Sequence, residues 1–198
     1  DSYAPQFTPD GKTVVFVRRD GDVYRVDTDG GNLQRLTSGN EYVEFRLSAQ
    51  DSHGSTDGPR VSPDGAMVAF IARRGGAPNL WVMDLDGGGQ RQVTQRRTPC
   101  GRPRWSPDGK SLYTLIEQAE NTWLARIDLA SDRIDYLSSG NRVAYEYDIA
   151  ANGRIALLQS DEQTPGAIYA LPGEPRLLSG HNEWLREVKL RESSDLVV

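Results

Sequence analysis

The sequence predicts an all-β fold: a β-propeller of about four blades, each with four antiparallel strands. A five-residue motif ending in Pro-Asp-Gly occurs three times, at Phe7–Gly11, Val61–Gly65 and Trp105–Gly109. A degenerate fourth copy, Ile149–Gly153, ends in Asn-Gly. The last two steps are equal, with 44 residues from Asp64 to Asp108 and 44 from Asp108 to Asn152. A period of about 40–45 residues is typical of a propeller blade. No stretch shows a sustained 3.6-residue apolar period with helix caps, so almost no helix is expected.

Each copy of the repeat divides into four short strands. The first strand runs into the Pro-Asp-Gly motif, and the second follows it as an apolar run of the kind that is covered on both faces. These second strands are predicted at Val14–Val17, Met67–Ile71, Leu112–Ile116 and Ile155–Leu158. Third strands are predicted at Val23–Val26, Leu80–Met83, Leu124–Ile127 and Ile168–Leu171, ending at Asp27, Asp84, Asp128 and Pro172. Fourth strands are predicted to end in Leu36–Thr37, Val93–Thr94, Leu137–Ser138 and Leu178–Ser179. The blades then occupy about 1–37, 58–94, 101–138 and 145–179.

The turns have a chemistry that suits this division. Proline presets φ at the first turn position, aspartate caps nearby backbone amides, and glycine accepts the left-handed conformation. Asp29–Gly31 and Asp86–Gly89 predict hairpins between third and fourth strands. A blade must bury both faces against neighbours, so the large aromatic residues are expected between blades. They are Phe16, Phe70, Trp81, Trp105, Tyr113, Trp123 and Tyr169.

Composition excludes several classes of protein. The net charge of −5 argues against a protein that binds nucleic acid or an anionic membrane surface. Cys100 is the single cysteine, so no internal disulfide can form and a reducing compartment is favoured. No signal peptide or membrane-spanning apolar run is visible in the sequence, and a cytoplasmic location is expected.

The repeat is interrupted once, at the first junction between blades. Thr37 and Ser62 are 25 residues apart, whereas Thr94 and Ser106 are 12 apart, so an insert of about 13 residues lies within Glu41–Asp57. Long loops on a rigid scaffold often carry binding residues, although a solvated loop without function is an equal alternative. The chain starts inside one first strand and ends inside another, which predicts that it is part of a larger propeller.

Motifs for catalysis are missing from the sequence. A serine hydrolase needs an activated nucleophile, usually in a Gly-X-Ser-X-Gly elbow, and no such elbow occurs. The two histidines, His53 and His181, have no evident orienting partner, and with one cysteine they do not make a zinc site. Asp27–Gly30 and Asp84–Gly87 faintly resemble calcium loops, but each lacks the glutamate at the twelfth position and fits a tight hairpin better. No catalytic residue, metal or cofactor is therefore expected in this chain.

Arginines are the candidate binding residues. Arg60, Arg102 and Arg104 precede the Pro-Asp-Gly turns, on strands expected to line the central channel, and Arg46 lies in the insert. A guanidinium group there could hold a peptide carboxylate through two parallel hydrogen bonds. Ion pairing at the surface or between blades is the alternative, and it is favoured for any single residue.

The repeat from Ser62 to Thr94 resembles the propeller repeats of two groups, and it does not separate them. One group is the TolB-like periplasmic proteins. The other is the N-terminal propeller of prolyl oligopeptidase-family serine peptidases, especially the acylaminoacyl-peptidase branch. The segment Arg176–Leu190 favours the peptidases, because it is similar to the segment by which that family leaves its propeller for an α/β-hydrolase domain.

The resemblance to the peptidases implies a propeller of about seven blades that caps a hydrolase active site and admits only short peptides. The catalytic Ser, Asp and His of that family lie in the hydrolase domain, so none is carried over to this chain. Residues 181–198 would form the exit segment toward that domain, which is the expected partner together with short peptides; a homo-oligomer is left open. The alternative is a TolB-like, periplasmic scaffold that binds another protein. A free-standing sugar or lactone enzyme would need a cluster of carboxylates on the channel, and none is visible.

Overall fold

The computed structural model describes residues 2–40, 58–181, 184–185 and 188, and within these ranges it contains sixteen strands and no α-helix. Blade 1 comprises β1 (Ser2–Phe7), β2 (Thr13–Arg18), β3 (Val23–Asp27) and β4 (Gln34–Arg35). Blade 2 comprises β5 (Arg60–Val61), β6 (Met67–Ala72), β7 (Asn79–Asp84) and β8 (Arg91–Gln92). Blade 3 comprises β9 (Cys100–Trp105), β10 (Ser111–Gln118), β11 (Asn121–Asp128) and β12 (Ile134–Tyr136). Blade 4 comprises β13 (Arg142–Ile149), β14 (Ile155–Asp161), β15 (Ala167–Leu171) and β16 (Arg176–Leu177).

Each blade is an antiparallel meander in which consecutive strands pair, as the repeat predicted. A single parallel bridge between Thr122 and Val143 joins blades 3 and 4 into one eight-stranded sheet. The first strands of neighbouring blades contact each other, β1 with β5 and β5 with β9. The predicted all-β, four-bladed architecture is therefore confirmed, with β1, β5, β9 and β13 as the inner strands. The described ranges hold no apolar helix long enough to cross a lipid bilayer.

Three hydrophobic clusters lie between successive blades. Val15, Val68 and Phe70 belong to the cluster of blades 1 and 2. Trp105 lies in the cluster of blades 2 and 3, and Tyr113 in that of blades 3 and 4. Trp81 is half-buried against the first cluster, while Phe16, Trp123 and Tyr169 are half-buried. Burial of apolar area between neighbours therefore holds the blades together, as expected for sheets with two apolar faces.

The Pro-Asp-Gly turns are closed by their polar side chains. In blade 2 the Ser62 hydroxyl donates to Asp64 at 2.6 Å, and the same carboxylate accepts the Ala66 amide at 3.0 Å. The Ser62 oxygen in turn accepts the Met67 amide at 2.9 Å. Equivalent bonds form around Asp10 and Asp108. These hydrogen bonds, led by the one from the side-chain hydroxyl, lower the pKa of all three aspartates.

The fourth strands end earlier than predicted. The prediction that they extend to Leu36–Thr37 and the equivalent pairs is wrong, since β4 ends at Arg35 and β8 at Gln92. The reason is that a hydroxyl oxygen replaces the backbone carbonyl as acceptor of the third strand's amide. Thr37 accepts the Val23 amide at 2.9 Å and Thr94 accepts the Leu80 amide at 3.0 Å. We call these groups the latch hydroxyls; they belong to Thr37, Thr94, Ser138 and Ser179.

Blade 4 differs from the others in the length of its first turn. Six residues separate Trp105 from its cross-strand partner Leu112 in blade 3, whereas five separate Ile149 from its partner Ile155 in blade 4. A shift of one residue moves side chains to the opposite face of a strand. Ile155 and Leu157 therefore face back toward blade 3. Tyr113, which lies as far after Gly109 as Leu157 lies after Gly153, faces forward from blade 3 toward blade 4. The third strand of blade 4 also ends one residue before Pro172, the predicted end.

Candidate functional site on the inner strands

Four equivalent inner-strand positions meet at one cavity. Gln6, Arg60, Arg104 and Asp148 each lie four residues before the Asp or Asn of the following turn. All four line a cavity of about 210 Å³, whose other lining residues are Val61, Trp105 and Ile149. The repeat period thus places one polar side chain of each blade around the same space, with two cations, one anion and one amide.

Bulges in the inner strands set the direction of these side chains. The pairing of β1 with β2, of β9 with β10 and of β13 with β14 is interrupted by one irregularity each. Ala4 and Arg102 occupy the bulges of β1 and β9 with φ of 49° and 58°. A bulge adds twist and redirects the neighbouring side chains, and bulges are frequent next to binding sites.

Arg102 and Arg104 form ion pairs with blade 4. The Arg102 guanidinium forms a salt bridge with Glu146, and its side chain is only 6% exposed. Arg104 lies 3.6 Å from the second oxygen of Glu146 and 3.9 Å from Asp148, and it is 34% exposed. The ring of Tyr147 lies 5.8 Å from the Arg104 guanidinium carbon. Arg102 is therefore committed to the interface between blades, whereas the looser Arg104 pairs leave its guanidinium accessible from the cavity.

Hydrogen bonds between a side chain and a backbone group connect the blades at the same level. Trp105 donates its indole N–H to the Arg60 carbonyl at 2.7 Å, which links blade 3 to blade 2. The Gln6 amide oxygen accepts the Val61 N–H at 2.8 Å, which links blade 1 to blade 2. The Tyr147 hydroxyl donates to the Arg102 carbonyl and links blade 4 to blade 3. Hydrogen bonds thus connect all four blades at the level of the cavity.

The structure places three of the four arginines predicted as binding residues at or beside this cavity. Arg60 and Arg104 lie in one cavity, and Arg102 is beside it in the inter-blade ion pair that was the stated alternative. Arg46 and the rest of the insert lie outside the described residues, as does His53. Gln6, Glu146, Tyr147 and Asp148 were missed. The period could have shown two of them, since Gln6 and Asp148 occupy the position equivalent to Arg60 and Arg104.

This arrangement of charges is suited to binding carboxylate and ammonium groups. Two guanidinium groups beside one cavity can share a carboxylate, and Asp148, 80% exposed, can accept an ammonium group. His181 lines a different cavity at blade 4 together with Ser179, whose hydroxyl oxygen accepts the Ile168 amide at 2.9 Å as a latch hydroxyl. In the described ranges no three His, Cys, Asp or Glu side chains cluster as metal ligands would.

A comparison with known protein families finds a match to the middle of the chain. The model of the LpqB lipoprotein β-propeller domain matches residues 48–142, which include blade 2 and blade 3. The match thus falls on the two blades whose Ser-Pro-Asp-Gly turns are intact.

Peptidases and TolB-like proteins are both among the relatives. A peptidase of Bacillus subtilis, YuxL, is 34% identical over 123 residues, which cover 59% of this chain and 17% of the peptidase. A TolB homolog of Chlorobaculum tepidum is 30% identical over 128 residues, which cover 62% of this chain and 26% of that protein. The chain thus matches less than a third of the length of these two relatives.

Solved structures agree on the architecture. TolB from Acinetobacter baumannii superimposes with a TM-score of 0.66 at 21% identity, covering 90% of this chain and 43% of TolB. At this identity the likeness concerns the fold alone. Taken together, the four blades, the family match and the relatives show that this chain is part of a β-propeller of the kind found in a peptidase family and in TolB-like proteins.

Proposed function

We propose that this chain is the non-catalytic propeller part of a serine peptidase of the acylaminoacyl-peptidase or oligopeptidase type. In this role it admits short peptides to a hydrolase active site and excludes folded proteins. Residues 1–180 form the propeller in this proposal, and 181–198 lead toward an α/β-hydrolase domain of the same cytoplasmic protein. The similarity to a Bacillus peptidase supports it.

The observation that carries the proposal is the pair Arg60 and Arg104 at one cavity of the inner strands. A peptide passing along these strands presents a carboxylate at its C-terminus, and two guanidinium groups can hold that group from two blades. Arg104 is suited to the exchange because its distances of 3.6 and 3.9 Å to Glu146 and Asp148 are longer than direct hydrogen bonds. Asp148 then assists with an N-terminal or lysine ammonium group of the peptide.

A binding experiment tests this role without any catalytic domain. Short peptides with a free C-terminal carboxylate and their C-terminal amides are titrated into the chain, and chemical-shift changes give the two dissociation constants. We expect the free acid to bind about tenfold more tightly, the equivalent of one charge-assisted hydrogen bond. Arg104→Gln removes this preference, while Arg133→Gln, which neutralises an exposed arginine in blade 3 far from the cavity, keeps it. Equal affinity for acid and amide contradicts the proposal, as does hydrolysis of peptidyl or acyl-amino-acid substrates by this chain alone.

The second candidate function is a TolB-like scaffold that binds another protein in the periplasm. The sequence similarity to a TolB homolog favours it. In that case short peptides bind without regard to their C-terminus, and the inner-strand arginines serve only the contact between blades. The acid–amide comparison therefore separates the two candidates.

A further inference from the structure

Three Arg-Arg pairs lie on one face of the propeller. Arg18–Arg19 lie at the hairpin between β2 and β3, Arg73–Arg74 at the hairpin between β6 and β7, and Arg96–Arg97 in the link from β8 to β9. Hairpins between second and third strands, and the links into the next inner strand, lie at the strand ends opposite the Pro-Asp-Gly turns. These six residues form what we call the arginine rim, which spans blades 1 and 2.

Hydrogen bonds show that the parts of the arginine rim adjoin each other. Arg74 Nε donates to the side-chain oxygen of Asn40 at 2.7 Å. The backbone N–H of Asn40 donates to the Asp22 carboxylate, in the hairpin of Arg18, at 3.2 Å. In the next blade the Arg96 amide donates to Asn79 Oδ1 at 2.9 Å. The backbone that carries the rim is thus fixed by buried Asp and Asn side chains.

The rim presents accessible positive charge. Arg18, Arg19, Arg74 and Arg97 are exposed, and Arg73 and Arg96 are half-buried. Among the described residues no carboxylate forms a salt bridge with Arg18, Arg74, Arg96 or Arg97, whereas Arg35, Arg91, Arg102 and Arg104 each have one. Arg18 and Arg74 instead lie over the rings of Tyr24 and Trp81, at 5.2 and 4.2 Å from the ring centroids.

The other half of the same face is acidic. Glu117 and Glu120 lie at the hairpin of blade 3, and Asp161 and Glu162 at the hairpin of blade 4. Burial raises the pKa of Glu117, in agreement with a position among strand ends rather than in open solvent. Among the described residues of this face, the Arg-Arg pairs all lie in blades 1 and 2, and Arg142 at the start of β13 lies 3.9 Å from Asp161.

We propose that the arginine rim binds a short acidic segment of a partner protein. Guanidinium groups pair with carboxylates through two parallel hydrogen bonds, and those of Arg18 and Arg74 are already oriented by aromatic rings. A long polyanion such as DNA would continue from the rim across Glu117, Glu120, Asp161 and Glu162 and be repelled there. A segment short enough to span two blades meets the arginines of the rim, and in the described part of their hairpins Asp20 is an exposed carboxylate whereas Asp22 is buried. This surface is separate from the inner-strand cavity, so its function does not depend on peptide gating.

Binding of a labelled glutamate-rich peptide to the intact chain tests the rim directly. Fluorescence anisotropy gives its dissociation constant, and a lysine-rich peptide of equal length serves as the ligand control. The double variant Arg18→Gln, Arg97→Gln is expected to bind the acidic peptide about 2- to 30-fold more weakly, from two solvent-exposed ion pairs. The matched variant Lys110→Gln, Arg154→Gln makes the same change of net charge on the opposite face and is expected to bind as the unmodified chain does.

The remaining outcomes are decisive as well. Affinity should fall as salt is raised from about 50 to 300 mM, because exposed charges are screened. Equal losses in the two double variants would mean that net charge alone attracts the peptide, and would overturn the assignment. So would a single-stranded DNA oligonucleotide that binds as tightly as the peptide with the same dependence on Arg18 and Arg97. The free acid and amide peptides that test the inner-strand cavity should bind the rim variant unchanged, so the two proposals fail separately.

Discussion

The latch hydroxyl of Thr94 should be worth more to stability than its size suggests. Its oxygen is buried, accepts the Leu80 amide at 3.0 Å and donates to Asn79 at 2.8 Å. Thr94→Val keeps the shape of the side chain and removes these two bonds together with a weaker 3.4 Å contact to the Cys100 thiol. The Leu80 N–H is then buried without an acceptor, which costs about 1–3 kcal/mol. The Asn79 side-chain oxygen still accepts the Arg96 backbone N–H at 2.9 Å, so the loss of its bond from Thr94 adds less to the cost. We expect the free energy of unfolding to fall by about 2 kcal/mol.

Urea unfolding followed by tryptophan fluorescence measures this loss. With a denaturant slope of about 2 kcal/mol per molar, the midpoint should fall by about 1 M urea at an unchanged slope. Thr37→Val should lower the midpoint by at least as much, since Thr37 is also buried, makes the equivalent bonds to Val23 and Asp22, and in addition accepts the Asn40 side-chain amide at 2.9 Å. Ser179→Ala is the matched control: its bond to Ile168 is exposed, so water replaces the hydroxyl at a cost below about 0.5 kcal/mol. A Thr94→Val chain as stable as the Ser179→Ala chain would refute the reasoning.

Three further predictions concern close packing and pH. Gly58→Ala would place a Cβ 2.2 Å from the Ala4 Cβ and 2.9 Å from its carbonyl oxygen, so we expect a loss of about 1–3 kcal/mol in urea unfolding, and an unchanged midpoint would contradict this contact between blades 1 and 2. The hydrogen bonds from Ser62 and Ala66 lower the pKa of Asp64 in the folded state. Its ionised form therefore stabilises the fold above the unfolded pKa, near 3.8, and this stabilisation is lost as the pH falls below that value. Asp64→Asn should flatten the decline in urea midpoint between about pH 6 and pH 3. Burial raises the pKa of Glu117, so its ionisation disfavours the folded state as the pH rises above 4.5, the pKa of an unperturbed glutamate. Glu117→Gln should therefore raise the urea midpoint at about pH 7 and have little effect at about pH 3.5. An equal gain at both pH values would exclude a charge effect.

The fold could be predicted from sequence because each blade repeats its apolar runs and turns. The run Met67–Ile71, for example, forms five of the six residues of β6, and Asp64-Gly65 closes the turn before it. The ends of the fourth strands could not be predicted in this way, because a threonine after an apolar residue is equally compatible with a strand. Only the 3.0 Å distance from the Thr94 hydroxyl oxygen to the Leu80 amide shows that the Thr94 side chain takes the place of a backbone carbonyl as acceptor.

The candidate site could be predicted only in part for a related reason. Arg60 and Arg104 could be predicted because each is a charged residue directly before a repeated turn, and the structure places them in one cavity. Glu146 and Asp148 precede the worn fourth copy of the motif, so neither was recognised as an equivalent of the arginines. Their role depends on the approach of β13 to β9, which brings Glu146 to Arg102. Such contacts between blades follow from packing rather than from any local pattern.

The shorter turn of blade 4 limits how freely these modules can be exchanged. Its Ala150–Gly153 segment has the glycine of the other copies but lacks their hydroxyl and proline, and Ile155 pairs with Ile149 across one residue fewer. If Ser-Pro-Asp-Gly replaced Ala150–Gly153 and formed the longer, six-residue turn, Ala156 instead of Ile155 would pair with Ile149. Ala156 and Leu158 would then face blade 3, and Ile155 and Leu157 would face away from it. A consensus repeat built by averaging all four copies would thus combine two incompatible registers. A designer who shuffles these blades must transplant each turn together with the strand that it sets.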